Sequence, residues 1–210
     1  AMGCFLSCSS NDDDSNTETS DITDIDGNIY RTVQIGDQIW MAENLKVTRD
    51  MNGNAIASFT PNNNPDLIDV YGRLYNWESA LNACPRGWRL PNSDDWFLLL
   101  SHIDPNINNP SDAGNLGENV GGELKSTSDL WSPPNQGANN LSGFSALPSG
   151  FFQNNNWLLL GSTTNFWSAT EGNSDQAFGG INLSSNSNTV FRGYMNKNDG
   201  HCIRCIKIVD

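Results

Sequence analysis

The chain has 210 residues, 24 acidic against 11 basic, and a formal net charge of −13. This length suits one domain with an extension, enough to bury a core without a structural metal. The acidic balance argues against a nucleic-acid partner, because phosphate recognition draws on clustered Lys and Arg, and the seven Trp argue against a wholly disordered chain.

Residues 1–7 are small and apolar, in the manner of the end of a secretory leader. Phe5-Leu6-Ser7-Cys8 resembles a bacterial lipobox, in which the cysteine is lipidated and heads the mature chain. Cys4, after Gly3, is the competing acceptor; Cys8 is preferred because the polar, acidic run from Ser9 to Asp14 starts directly after it. That run resembles the export signal of surface lipoproteins from Bacteroidetes-type bacteria. Residues 8–21 are therefore expected to be a lipidated flexible tether, and 22–210 the globular domain. No run of about 18 apolar residues occurs, so attachment to the outer membrane or cell surface is expected through the lipid alone.

From Ile22 the pattern changes. Ile29, Arg31, Val33 and Ile35 alternate with Tyr30, Thr32 and Gln34, which predicts a strand, and Gly36-Asp37 predicts a tight hairpin turn into the next. Asp24-Ile25-Asp26-Gly27-Asn28 has the start of a calcium loop, but the twelfth position would be Ile35 where an acidic ligand is needed, so a Gly-containing turn is expected. Residues 48–69 are rich in Asn, Pro and Asp and predict a long loop. Leu74, Trp77 and Leu81 then share one helical face. In the segment CPRGWRLPNSDDW, Asn92 or Ser93 can cap a second helix. Asp94 and Asp95 suit its positive end, Trp96, Leu99, Leu100 and Ile103 form its core stripe, and Pro105 stops it. Turns and short apolar runs follow to the end. There Cys202, Arg204 and Ile206 alternate with Ile203, Cys205 and Lys207. Two helices followed by many short strands predict an α+β domain with a twisted antiparallel sheet and a long loop-rich region.

Six ordered blocks carry a resemblance: DIDGNIYRTVQIGDQIWMAENLKVT, YGRLYNWESALNACPRGWRLPNSDDW, GGELKSTSDLW, GFSALPSGFF, FWSATE and CIRCIKIVD. In this order they resemble the Fibrobacter succinogenes major paralogous domain over about Asp24 to Asp210. GWRLPNSDDW also resembles a segment of the formylglycine-generating enzyme superfamily. The resemblance implies a C-type-lectin-like fold on an exported, surface-anchored bacterial protein, and it brings no assigned activity with it. It also implies a disulfide between Cys84 and Cys205, closing a loop of about 120 residues worth on the order of 4–5 kcal/mol at most. Cys202 is left as a free thiol.

The function classes follow from the remaining residues. The regular alternation puts Cys202 and Cys205 on opposite faces, as it does His201 and Cys202, so neither a C-x-x-C redox pair nor a Cys/His dyad is favoured. Only His102 and His201 could add imidazole ligands to a metal site, and no second C-x-x-C completes one. No G-x-S-x-G elbow occurs, and Glu78, Glu123 and Glu171 are isolated carboxylates. In lectin-like folds the long loop region carries ligands, here about Asn106 to Asn140. Trp131, Asn139 and Asn140 in that region, with Trp157 and Glu171, are the candidate ligand-binding residues; Trp40, Trp77, Trp88, Trp96 and Trp167 are expected in the core. Ser168 and Ala169 follow Trp167 where calcium-dependent lectins carry Asn and Asp, which weakens a calcium-dependent sugar site. The expectation is thus a non-catalytic binding or adhesion module for a glycan or an extracellular protein, with no metal or cofactor. The alternatives are a formylglycine-generating-type oxidoreductase using Cys202 and Cys205, and a structural spacer of the cell envelope.

Overall fold

The computed structural model describes residues 21–208. The expected leader, the lipidation at Cys8 or Cys4, and the tether up to residue 20 lie outside the described residues. Apart from two longer strands near the C-terminus, strands are short because alternation runs for only a few residues before a turn former interrupts it. β1 (Ile22–Thr23) and β2 (Ile29–Tyr30) pair antiparallel around the Asp24–Asn28 turn. There Asp24 Oδ1 accepts from the backbone N–H groups of Asp26 and Asn28, and Oδ2 accepts from the Tyr30 hydroxyl at 2.6 Å. β3 (Thr32–Ile35) and β4 (Gln38–Met41) form the hairpin that turns at Gly36-Asp37. The expected alternation from Ile29 to Ile35 is broken at Arg31: Ile29 is 63% exposed and Tyr30 is buried. The chain changes partner there, from β1 to β4, and the Glu43 carboxylate takes the Arg31 N–H at 2.7 Å.

The predicted loop at 48–69 contains two single 3₁₀ turns and ends in α1 (Ile68–Tyr71). α2 (Trp77–Ala83) starts after Asn76, whose side chain accepts from the Ser79 N–H. This cap corrects the predicted stripe. Leu74 lies before the helix in an extended bridge with Phe59, Leu81 is exposed, and Ser79, Ala80 and Ala83 form the buried face. β5 (Trp88–Arg89) leads into α3 (Ser93–Ile103), where Asn92 and Asp95 make a reciprocal capping box. Trp96, Leu99 and Leu100 are fully buried, as their spacing predicts, and the helix ends ahead of Pro105. The rest runs through β6 (Gly114–Leu116), α4 (Val120–Leu124), β7 (Phe151–Gln153), β8 (Asn156–Leu158), β9 (Thr163–Phe166), β10 (Gln176–Ser184), β11 (Val190–Asn196) and β12 (Ile206–Lys207).

The domain is α+β. Its two four-stranded sheets have orders β3-β4-β12-β5 and β6-β11-β10-β9, and β7 pairs with β8. All of these strand pairings are antiparallel. The described residues hold four α-helices where two were expected; α1 and α4 span four and five residues, too few to show a period. β12 sits between β4 and β5, so the C-terminal segment closes the sheet begun by the first hairpin. The Cys84–Cys205 disulfide is present and ties the end of α2 to the residue before β12.

The core has two parts. One gathers Trp40, Trp96, Phe144 and Phe166, with Trp40 and Trp96 centred 4.8 Å apart. The other gathers Tyr30, Tyr75, Trp167 and the disulfide. The terminal alternation holds: Cys202 and Ile206 face the first, Ile203 and Cys205 the second. β10 can lie under the start of α3 because Gly179 sits there at φ +84°; a Cβ would collide with the Ser93 side chain.

Candidate functional site: a cleft floored by Arg204

The candidate ligand-binding residues do not converge. Trp131 is 3% exposed, with its indole N–H given to the Ala146 carbonyl at 3.0 Å and the Lys125 ammonium 5.5 Å from its ring centre. It is a core residue, a member of the first cluster with Phe144 and Ala146. Trp157 is half-buried against Phe152 and donates to the Thr60 carbonyl at 2.7 Å. Asn139 is exposed, and its side chain accepts the Leu141 N–H in a local turn. Glu171 is exposed and pairs with Lys197, which also lies 4.4 Å from the centre of the Trp77 ring. Of the expected core tryptophans, Trp40, Trp96 and Trp167 are fully buried, and Trp77 and Trp88 pack partly buried against the second cluster.

Asn140 has a different task. Its side chain brackets Ser145, Oδ1 accepting the Ser145 N–H at 2.9 Å and Nδ2 donating to Ser145 Oγ at 2.9 Å. Ser145 is thereby held at φ +56°, a conformation that a residue with a Cβ rarely adopts. This bend aims the Phe144 and Ser145 carbonyls at Arg204, which donates to them at 2.6 and 3.2 Å. The Arg204 guanidinium also donates to the Met41 carbonyl and, through Nε, to Asn44 Oδ1 at 2.6 Å, and it lies 4.7 Å from the centre of the Phe144 ring. No carboxylate pairs with it in these contacts, and burial pulls its pKa down to about 9. Asn44 passes the linkage on, since its Nδ2 donates to Tyr71 O, Ser149 Oγ and Cys202 Sγ.

These groups floor a cleft of roughly 320 Å³. One wall is Ile29 to Arg31, the opposite wall is α1, and the Ala42 to Lys46 segment and the loops at Ser126 and Ser145 complete it. α1 can stand this close to the 44–45 segment because Gly72 follows it at φ +74°; a Cβ there would meet Asn44 Cβ at 2.7 Å and the Leu45 carbonyl at 2.8 Å. Two aliphatic side chains at the rim are open to solvent, Ile29 at 63% and Val70 at 44%. Two ion pairs share the rim: Arg31 with Glu43, and Lys46 with Asp69, each at 2.7 Å. The Lys46 hydrogen bond and charge lower the pKa of the Asp69 carboxyl.

The sequence reading missed Arg204, Asn44 and Gly72. Arg204 had one signal, a charged residue on the buried face of an alternating strand; Asn44 and Gly72 had none, because their role arises where α1 meets a segment some 27 residues earlier. Two groups with chemical potential elsewhere, Cys202 and His201, are buried. Cys202 is buried, and burial raises the pKa of its thiol. His201 is buried against Trp167, takes a hydrogen bond with Asn165, and is held uncharged by desolvation, with its pKa down to about 3. Among the described residues no group of three or more His, Cys, Asp or Glu side chains could hold a metal ion, and no helix is long and apolar enough to cross a membrane.

Comparison with curated proteins and with solved structures gives no match. The family model of the Fibrobacter succinogenes major domain matches residues 33–207, and the chain belongs to that family.

Proposed function

We propose that this domain is a non-catalytic binding module of an exported, lipid-anchored bacterial surface protein, with a C-type-lectin-like arrangement, and that its ligand seats in the cleft over Arg204. The observation that carries the reading is the combination of two exposed aliphatic side chains, Ile29 and Val70, with charged side chains over a floor where internal hydrogen bonds hold the Arg204 and Asn44 side chains in place. Such a site recognises shape and charge without moving a proton or attacking a bond. The lectin-like arrangement is supported by the closure of the C-terminal strand on the first hairpin and by the long loop region between α3 and β9.

The oxidoreductase alternative needs Cys202 and Cys205 as a reactive pair. Cys205 is bonded to Cys84, and Cys202 is a buried thiol with a raised pKa, the opposite of what thiolate chemistry requires. In a Cys4→Ser/Cys8→Ser background, native protein should expose no thiol to a titrating reagent, and denatured protein one. Two fast native thiols would restore the redox reading.

The binding reading is tested by screening the domain on peptide and glycan arrays beside an Ile29→Asp/Val70→Asp variant of equal melting temperature. Retention of wild type and loss in the variant is the expected result. Equal retention of both would remove the cleft as the site.

A further inference from the structure

Resting on the reading of this cleft as the ligand site, we infer that its ligand is a peptide segment presenting a carboxylate beside an aliphatic side chain. The first observation is charge. The chain carries 24 acidic and 11 basic residues, yet the cleft is lined by three cations, Arg31, Lys46 and Arg204, against two carboxylates, Glu43 and Asp69. On a strongly acidic protein this is a local excess of one positive charge, and it favours an anionic group over a cationic one.

The second observation is an unfilled donor. A guanidinium has five N–H donors. Arg204 places Nε on Asn44, both Nη1 donors on the Met41 and Phe144 carbonyls, and one Nη2 donor on the Ser145 carbonyl. One Nη2 donor has no acceptor among the described residues, on a side chain that is 1% exposed and lines the cleft. A carboxylate oxygen is the strongest acceptor such a donor can meet.

The third observation is that the rim cations can change partner at little cost. Asp69, which holds Lys46, has an 88% exposed side chain, and Arg31, which is held by Glu43, is 68% exposed. Ion pairs so open to water contribute little, so a ligand carboxylate can take Lys46 from Asp69.

The walls select the rest of the ligand. Ile29, Val70, Ile68 and Leu147 are aliphatic, and the one aromatic residue of the lining, Tyr30, is buried with its hydroxyl given to Asp24. No ring is presented on which a sugar could stack, which favours an aliphatic side chain over an acidic sugar.

Three probes separate the outcomes when titrated into isotope-labelled protein and followed by amide and methyl NMR: N-acetyl-leucine, N-acetyl-leucine amide and glucuronate. N-acetyl-leucine should shift the resonances of Ile29, Ala42 and Val70, and the uncharged amide should bind about tenfold more weakly or worse. Lys46→Gln should weaken the acid about tenfold and leave the amide unchanged; it avoids Arg204, whose removal would disturb the floor. Equal binding of acid and amide overturns the carboxylate inference while leaving the cleft as the site. Glucuronate binding where both leucine probes fail overturns the peptide class. Failure of all three to move these resonances overturns the inference, and the array result with Ile29→Asp/Val70→Asp then decides separately whether the cleft is a site at all.

Discussion

Two regions of this domain are held together by different means. The sheet β3-β4-β12-β5 with α2 and α3 is built from apolar periodicity: Trp40, Trp96, Leu99 and Leu100 bury completely, and the Cys84–Cys205 bond fixes the end of α2 to the last strand. The loop-rich region from Asp104 to Ser162 has few residues in regular structure, and buried cations order it from within. Lys125 is fully buried, and its three ammonium donors go to the carbonyls of Gln136, Ser184 and Ser187 at 2.7 to 2.9 Å. Arg192 reaches from β11 to the Pro110 and Asp112 carbonyls and to Ser93. Arg204 holds the Phe144–Ser145 bend. None of the three belongs to an ion pair among the described residues. The comparison teaches that a loop region can be made rigid by giving its backbone carbonyls a few multi-donor side chains. A carbonyl in such a loop that is shut off from water and left without a donor would be costly.

The comparison can be broken first at the disulfide. Cys84→Ser/Cys205→Ser should lower stability by about 4 kcal/mol, read from denaturant unfolding as a shift in midpoint. A loss below about 1 kcal/mol would mean that apolar packing alone holds the sheet half. Next, Lys125→Met keeps the apolar stem and removes the three donors, taking the ammonium from the Gln136 and Ser187 carbonyls while Ser184 O keeps the Ser187 N–H; a loss of about 3 kcal/mol is expected. A neutral result would mean that the loops do not depend on the ammonium. Gly72→Ala should cost about 2 kcal/mol through its positive φ and the clash with Asn44 and Leu45, and it should widen the cleft by pushing α1 away. An unchanged melting temperature would show that α1 yields freely.

The last effect concerns pH and is absent near neutrality. His201 stays uncharged in the fold until about pH 3, whereas an unfolded His takes its proton near pH 6.5. Below that value the unfolded chain binds more protons, so stability falls as pH drops from 6.5 towards 3, by at most about 1.4 kcal/mol per unit from this one group. His201→Gln should remove this part of the slope and leave stability above pH 7 without a pH-dependent difference. An identical acid slope in the variant would place the effect elsewhere.

How much was legible in the sequence follows the same division. The α3 stripe, its Asn92 cap, the Gly36-Asp37 hairpin and the opposite faces of Cys202 and Cys205 were readable because they repeat locally, and the Cys84–Cys205 pairing came from the family resemblance. The misreadings lie where the loop region folds back on itself. Trp131, flanked by polar residues in the sequence, is buried by segments that meet it only in space. Asn140 spends its side-chain amide on the N–H and hydroxyl of Ser145, a bend with no signal in the local pattern. Leu74 and Leu81 fit a helical spacing that the Asn76 cap interrupts. The cleft was invisible for the same reason: Ile29, Asn44, Val70, Ser145 and Arg204 share no pattern in sequence, and Gly72 is needed only because two distant segments nearly touch.

The central claim is that cation-to-carbonyl clamps, acting separately from the disulfide-tied half, give the loop region and the cleft wall their order. Hydrogen–deuterium exchange on wild type and Lys125→Met tests it most directly, under conditions where both are folded. The account predicts faster exchange at Gln136, Asn139 and Ala146, whose N–H groups bond within the clamped loops, and unchanged exchange along α3. Exchange that rises equally in α3 and the loops, or in neither, would contradict it.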